Sequence, residues 1–243
     1  MHDLILLAVG FIVAFIGTMS GGGAGILALF TLIAFGMPIN QAIATNKLGD
    51  FGFFLPAVRN FVKAKQIKKK ALPAIIIINV VGAGIGTLMI THFNTAIFRK
   101  VVAVILVVII IACLRKKEYA LKERPPHWYW PFIYFGTSIS AGAVGAGTGI
   151  LSTMTLMYAR GFTALEAMAN SFYANVFGST LSVGILLFTH LINYQYGFFL
   201  FIGNVIGSHF GSKLAIKKGN GFVRIMIILL AIVVVLQLIF AKT

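Results

Sequence analysis

The sequence predicts an all-α integral membrane protein built from two inverted-topology repeats of about five helical segments each. Apolar residues make up 59% of the 243 residues and charged residues only 10%, which leaves too little polar surface for a water-soluble domain. Apolar runs recur along the whole chain, and several approach the ~20 residues that span a bilayer as a helix. Related motifs also recur at a nearly constant spacing. Together these three observations define the fold class.

The internal repeat is clearest in two glycine motifs. The stretch Asn79–Gly86 (NVVGAGIG) is similar to Asn204–Gly211 (NVIGSHFG), which lies 125 residues later. A shift that is one residue smaller aligns the glycines around Gly23 with those around Gly147. Because the spacing is nearly constant across separate motifs, the chain is predicted to contain two copies of one repeat, and a single insertion explains the difference of one residue.

The repeats divide the chain into a first transmembrane repeat (1–115), a basic cytoplasmic linker (116–126) and a second, inverted transmembrane repeat (127–243). The first repeat has apolar segments at about 4–20, 24–36, 42–62, 71–92 and 97–114. The second has them at about 129–144, 148–160, 164–189, 196–212 and 222–240. No basic run precedes the first segment, so we expect a retained membrane segment rather than a signal peptide.

The distribution of basic residues predicts the topology. The chain carries 20 Lys and Arg against five Asp and Glu, and basic loops face the cytoplasm by the positive-inside rule. Loop 63–70 is strongly basic, whereas its counterpart 188–196 is uncharged; conversely 213–221 is basic and its counterpart 87–95 is not. Each loop therefore changes side between the repeats, and both termini are expected outside. We expect a multi-pass protein of the plasma membrane, in bacteria the inner membrane, without a nucleic-acid partner.

Glycine-rich turns interrupt the first apolar run of each repeat. As one straight helix, Leu4–Phe35 would be about 48 Å long, so we expect a hairpin with its turn at 20–25, and a second hairpin with its turn at 142–149. Each turn begins a short helix whose amides and dipole attract an anion. The candidate substrate-binding residues are Gly21, Gly22, Gly23, Gly145, Gly147, Thr148 and Gly149. The alternative role is helix packing, which we favour for 82–86 and 207–211.

Polar residues inside the third segment of each repeat are the second group of candidates. Ionisable groups at membrane depth are costly and therefore candidates for function. Lys47 is expected near the anion and Asp50 as a proton carrier for coupling; because they are three residues apart on one helix face, an internal ion pair is the alternative. The remaining substrate-binding candidates are Thr45, Asn46, Asn170, Ser171 and Asn175. For Asn79 and Asn204, an interhelical hydrogen bond is an equal alternative.

Four stretches carry a resemblance to a known family: SGGGAG, ATNKLGDFG, GAVGAGTG and GNVIGSHFGSKLAIKKG. They resemble the sulfite exporter TauE/SafE (TSUP) family of permeases over nearly the whole chain. The resemblance implies secondary transport of small sulfur-containing or organic anions, such as sulfite, sulfoacetate or thiosulfate, coupled to an ion gradient. The chain departs from the family at Asn170–Phe172, where a Thr-Lys pair is frequent, so Lys47 has no cationic counterpart in the second repeat.

Two other function classes share some of these features, an anion channel and an intramembrane enzyme. An anion channel or uniporter would share the fold and would differ in lacking saturable, uphill flux. An intramembrane enzyme would need a nucleophile, and Ser20 with His209 superficially resembles a serine–histidine dyad; however, the position equivalent to Ser20 is Val144. His209 is better explained as a hydrogen-bonded helix contact than as a proton relay.

The expected partners are a small anion and membrane lipids. No sequence pattern indicates a cofactor, a metal site or a homo-oligomer. Cys113 is the only cysteine, so an intrachain disulfide is excluded.

Overall fold

A computed structural model describes residues 2–90, 121, 123–145 and 147–240, which form eight helices and no strand. The helices are α1 (His2–Gly17), α2 (Gly25–Ala34), α3 (Ile39–Lys63), α4 (Leu72–Met89), α5 (Trp130–Ala143), α6 (Gly149–Tyr158), α7 (Ala164–Leu187) and α8 (Tyr194–Phe240). The predicted segment 97–114, Cys113 and most of the linker lie outside these residues. Within them the all-α class is confirmed.

The longest helix is broken near its middle. In α8, Gly219 has φ 80° and ψ −176°, a conformation that glycine adopts without a steric penalty. The break separates a first arm, 194–218, from a second arm, 220–240. These arms correspond to the two segments predicted at about 196–212 and 222–240, so the fourth and fifth segments of the second repeat are joined by a kink.

The outer surface of the bundle is apolar, whereas its interior contains polar side chains. On α4, Ile77, Val81 and Ile85 form an exposed stripe; Thr45 and Asn79 are fully buried. This is the reverse of a water-soluble protein, where large exposed apolar patches are rare, and it suits helices that face lipid. By length and hydropathy, α4 is the one helix in the described part of the chain that qualifies alone as a membrane span.

Small residues allow the helices of the two halves to pack closely. A Cβ atom at Gly207 of α8 would collide with the carbonyl oxygen of Phe11 in α1, and one at Gly86 of α4 with that of Ile139 in α5. The packing role predicted for both glycine motifs is thereby confirmed. The pairing is reciprocal, because the first helix of each half packs against the fourth segment of the other.

The third segments, α3 and α7, run antiparallel. At the end of α3, the backbone N–H of Lys68 donates to Oδ1 of Asn170 near the start of α7 (3.0 Å). At the other end, the backbone N–H of Asn193, just after α7, donates to Oγ1 of Thr45 near the start of α3 (3.0 Å). Inverted repeats would place these two helices in this antiparallel order, and the inversion itself stays a prediction.

Basic loops lie together at one end of the bundle. Nζ of Lys68 forms ion pairs with Glu123 and, at 2.8 Å, with Glu166. The backbone N–H of Leu165 donates to Oδ1 of Asn220 beside the kink of α8 (2.9 Å). We call this the basic end, and the opposite end, which carries 188–193, the uncharged end.

This arrangement predicts opposite labelling of two single cysteines. In a Cys113→Ser background, Lys69→Cys at the basic end should react with a membrane-impermeant maleimide only after cells are permeabilised. Phe188→Cys, 87% exposed at the uncharged end, should react in intact cells. The readout is the mass shift of the purified protein. Reaction of both cysteines from one side of the membrane would disprove the predicted topology.

Candidate functional site

Glycines in left-handed conformations break the first helix of each half. α1 ends at Gly17 and α2 begins at Gly25, while α5 ends at Ala143 and α6 begins at Gly149. Between these ends, four glycines have positive φ: Gly21 (82°), Gly22 (90°), Gly145 (68°) and Gly147 (80°). Residues with a Cβ atom pay about 1–2 kcal/mol in this region, so the glycines explain why the chain turns where the sequence predicts.

The two glycine turns contact each other at the centre of the bundle. Oγ1 of Thr153 in α6 donates to the carbonyl oxygen of Gly21 at 3.1 Å. A Cβ atom at Gly149 would lie 2.9 Å from the carbonyl oxygen of Gly22. The backbones therefore approach too closely for larger residues, and the beginnings of α2 and α6 are brought together.

A small cavity of about 40 Å³ lies where the turns meet α3 and α7. This volume holds about three water molecules. Its lining residues are Val13, Gly22, Gly25, Lys47, Asp50, Phe53, Phe54, Ala141, Gly145, Thr148, Gly149, Asn175 and Ser179. Both glycine turns and both third segments thus contribute to a single site.

The N-termini of two helices open onto this cavity. Gly25 and Gly149 are the first residues of α2 and α6, and both line the cavity. Neither helix has a side-chain cap at its start, so the first amides carry the partial positive charge of an uncapped N-terminus. Paired N-termini of this kind favour an anion.

Lys47 places a buried ammonium group on the cavity wall. Its side chain is only 5% exposed, and Nζ donates to the carbonyl oxygen of Ala141 at 2.8 Å. Ala141 lies in the last turn of α5, where the carbonyl groups form the negative end of the helix dipole. Nζ also lies 3.5 Å from the Cβ position of Gly145, an ordinary contact distance, so it is the positive φ of 68° that favours glycine there.

Asp50 lines the same cavity without a direct ion pair to Lys47. Oδ2 of Asp50 accepts a hydrogen bond from Nδ2 of Asn46 at 3.4 Å. Among the described residues, no contact within 4.0 Å joins the Lys47 ammonium to a carboxylate, although the two charges interact electrostatically. The nearest partner of Lys47 is therefore a backbone carbonyl, and the internal ion pair considered as an alternative does not form as a direct contact.

A hydrogen-bonded pair of asparagines fixes one polar wall of the cavity. Nδ2 of Asn79 in α4 donates to Oδ1 of Asn175 in α7 at 2.9 Å, which is the interhelical bond considered above. Nδ2 of Asn175 donates to Oγ of Ser171 at 3.5 Å. Because Asn79 occupies the carbonyl oxygen of Asn175 and Ser171 accepts from its Nδ2, the second N–H of this amide is the donor left for the cavity.

The predicted site residues divide into two groups. Those that line the cavity are Gly22, Lys47, Asp50, Gly145, Thr148, Gly149 and Asn175. Those that do not are Gly21, Gly23, Thr45, Asn46, Gly147, Asn170 and Ser171. Within the second group, Thr45 binds the backbone of Asn193 at the uncharged end. Asn170 binds the backbone of Lys68 and Gln66 at the basic end, so neither is free to contact a substrate in the cavity.

Sequence reasoning missed six lining residues, and helical spacing identifies two of them. Phe53 follows Asp50 by three residues and Ser179 follows Asn175 by four, so each shares a helix face with a predicted residue. Ala141 contributes through its carbonyl oxygen, for which the residue type gives no signal. The others are Val13, Gly25 and Phe54.

A cluster of phenylalanines lies beside the cavity on the side of the basic end. Phe172 occupies the position equivalent to Lys47 and packs against the first glycine turn, 3.3 Å from the Cβ position of Gly22. Its ring contacts those of Phe53, Phe54 and Phe61, with centroids 5.2 to 6.0 Å apart. One glycine turn is therefore covered by a cation and the other by an aromatic ring.

Comparison with known proteins identifies the family. Residues 6–238 match the family described as sulfite exporter TauE/SafE. The chain belongs to the TauE/SafE family. The resemblance inferred from the four sequence stretches is thereby confirmed. No solved structure gives a significant match to the chain.

The curated relatives are also named as transporters. A probable membrane transporter protein of Haemophilus influenzae is 26% identical over 242 residues, covering 97% of this chain and 94% of that protein. The probable membrane transporter protein YfcA of Escherichia coli is 26% identical over 97% of this chain and 89% of its own length. ORF9 of a Sinorhizobium species, with the same description, is 25% identical over 96% and 90%. With the TauE/SafE match, these relatives establish a membrane transporter family and are consistent with a protein that is not an enzyme.

The serine and histidine of the enzyme alternative have other partners in this TauE/SafE protein. Oγ of Ser20 donates to the carbonyl oxygen of Ile16 at 2.7 Å. His209 lines a groove on the outside of the bundle, and its backbone carbonyl, rather than its ring, accepts a hydrogen bond from Asn60 (3.1 Å). No hydrogen bond joins Ser20 and His209 among the described residues.

Proposed function

We propose that this protein is a secondary transporter of the bacterial inner membrane that carries small anions by alternating access. The proposed substrates are sulfite, sulfonates or related sulfur-containing or organic anions. The observation that carries the proposal is the convergence of two uncapped helix N-termini and the buried Lys47 ammonium on one central cavity. Transporters with inverted repeats bind substrate at the repeat interface, where broken helices direct their N-termini at anionic groups.

The charges around the cavity support coupling to protons. The positive contributions are about half a charge from each helix N-terminus and one charge from Lys47. The C-terminal end of α5 at Ala141 contributes about half a negative charge, and ionised Asp50 contributes one. Protonation of Asp50 raises the net positive charge of the cavity by one and favours anion binding. Because such coupling is reciprocal, a bound anion also favours a proton on Asp50, and the two move together.

The size of the cavity supports a substrate of few atoms. Its volume of about 40 Å³ is far below the ~300–1,000 Å³ of pockets for drug-sized ligands. The donors around it are backbone amides, the Lys47 ammonium and the Asn175 amide. An oxyanion with several acceptor oxygens suits these donors, whereas a large or mainly apolar solute does not.

The phenylalanine cluster supplies a closed gate for alternating access. Along α3, Phe53 and Phe61 lie between Asp50 and the helix end at Lys63, and Phe172 precedes Asn175 on antiparallel α7. Their rings therefore separate the cavity from the basic end. Opening toward the cytoplasm requires α3 and α7 to separate at that end, as one half moves relative to the other.

Reconstitution into liposomes tests the function. The purified protein should transport radiolabelled sulfite, thiosulfate, sulfoacetate or a short carboxylate with saturable kinetics. Under an imposed pH step, the anion should accumulate in the alkaline compartment, because proton and anion move together. Asp50→Asn, which resembles the protonated carboxyl, should keep downhill flux and lose the response to the pH step.

A channel gives a different result. Flux that never saturates and never runs uphill would support the channel or uniporter. Absence of flux for all tested anions, with protein of unchanged size-exclusion profile, would contradict anion transport. An Asp50→Asn variant that still accumulates anion along the proton gradient would exclude Asp50 as the proton carrier.

A further inference from the structure

A groove of about 450 Å³ runs between α3 and the first arm of α8 on the outside of the bundle. One part of it is apolar and is lined by Leu55, Ile206 and Phe210, all exposed. The other part is lined by Arg59 and His209. None of these residues lines the central cavity, so the groove is a separate site.

The cationic part of the groove lies toward the basic end. Arg59 is one turn before the end of α3 at Lys63, and both side chains are exposed. On α8, Lys213 follows His209 by one turn and is exposed as well. Within the described ranges, none of these four residues has a carboxylate oxygen within 4.0 Å.

In a bilayer, exposure on this surface means contact with lipid. A lipid-exposed arginine is costly, and long cationic side chains reduce the cost by extending toward the headgroup region. An arginine guanidinium donates to phosphate oxygens in a charge-assisted, often bidentate geometry. Apolar side chains next to such a cation match the acyl chain that continues from the phosphate.

We propose that this groove binds one anionic phospholipid. Arg59 and His209 bind its phosphate, and Leu55, Ile206 and Phe210 contact an acyl chain. Lys63 and Lys213 add positive charge toward the basic end, which favours a headgroup with net negative charge. A zwitterionic lipid carries its own ammonium group beside the phosphate and gains less from these cations.

Native mass spectrometry of the full-length protein in detergent tests the site. Titration with dioleoyl phosphatidylglycerol should give a single tight adduct, at least tenfold tighter than the adduct with dioleoyl phosphatidylcholine. Arg59→Gln should remove this preference. The matched control is Lys70→Gln, which removes the same charge from an exposed residue of the basic end outside the groove and should keep the preference.

A second measurement tests the lipid site without the Arg59 variant, in case that variant does not fold. Phe210→Trp places a fluorophore in the groove, and phosphatidylglycerol with brominated acyl chains should quench the added fluorescence more than brominated phosphatidylcholine at equal mole fraction. Equal affinity for the two lipids, a preference retained in Arg59→Gln, or equal quenching would overturn the proposal. None of these readouts involves transport, so they are independent of the proposed function.

Discussion

Lys47→Gln is expected to weaken anion binding by about 10- to 150-fold. A hydrogen bond from a charged group contributes about 1.5–3 kcal/mol, and each 1.4 kcal/mol is a factor of ten in affinity. The substitution also leaves Asp50 as the sole formal charge among the side chains that line the cavity. The initial anion flux into liposomes is measured as a function of anion concentration. The half-saturation concentration should rise in the variant.

Lys69→Gln is the control for this experiment. It removes one positive charge from the exposed loop that follows α3, far along the chain from the cavity wall. It should leave the half-saturation concentration unchanged. If Lys47→Gln also leaves it unchanged, the ammonium serves the structure by binding the end of α5, and the substrate-binding role assigned to Lys47 is wrong.

Gly22→Val should abolish most anion flux while the protein still inserts into the membrane. At Gly22, φ is 90°, and unfavourable backbone conformations of this kind cost about 1–3 kcal/mol. A Cβ atom would also lie 3.3 Å from the Phe172 ring and 3.4 Å from Cα of Gly149. The turn must therefore shift away from the beginning of α6, and we expect initial flux to fall by at least about tenfold.

The same substitution at Gly136 is the matched control. Gly136 lies in α5, and a Cβ atom there would meet no atom within 4 Å. Gly136→Val should transport at the wild-type rate, and membrane fractions of both variants should contain equal amounts of protein. Wild-type flux in Gly22→Val would show that the glycine turn does not shape the site.

The helix breaks were predictable because two independent constraints coincide. An apolar run too long for the bilayer must bend, and the glycines at positions 21 and 22 are residues that tolerate the required backbone conformation. The buried charges of Lys47 and Asp50 were equally visible, since ionisable residues in an apolar segment are conspicuous. These local signals also predicted a packing role for the glycines of 82–86, although not the helix that they contact.

The partners of the predicted residues were not predictable. Thr45 binds the backbone of Asn193, and Asn170 that of Lys68, so both are used at the ends of the bundle. Lys47 binds the carbonyl of Ala141, a group that every residue type carries. These hydrogen bonds depend on how segments that are distant in the sequence pack together, so no pattern within one segment predicts them.

Lys68 joins the loop after α3, the residues before α5 and the first turn of α7 through its two carboxylate partners. In the proposed alternating-access cycle these parts separate when the basic end opens, so the two ion pairs act as a latch that holds this end closed. The side chains of Lys68 and Glu123 are partly exposed to solvent, and an exposed pair contributes only about 0–1 kcal/mol, whereas the Glu166 side chain is 14% exposed. The Lys68–Glu123 part of the latch therefore holds weakly and is screened by salt, which suits repeated opening of this end in the proposed cycle.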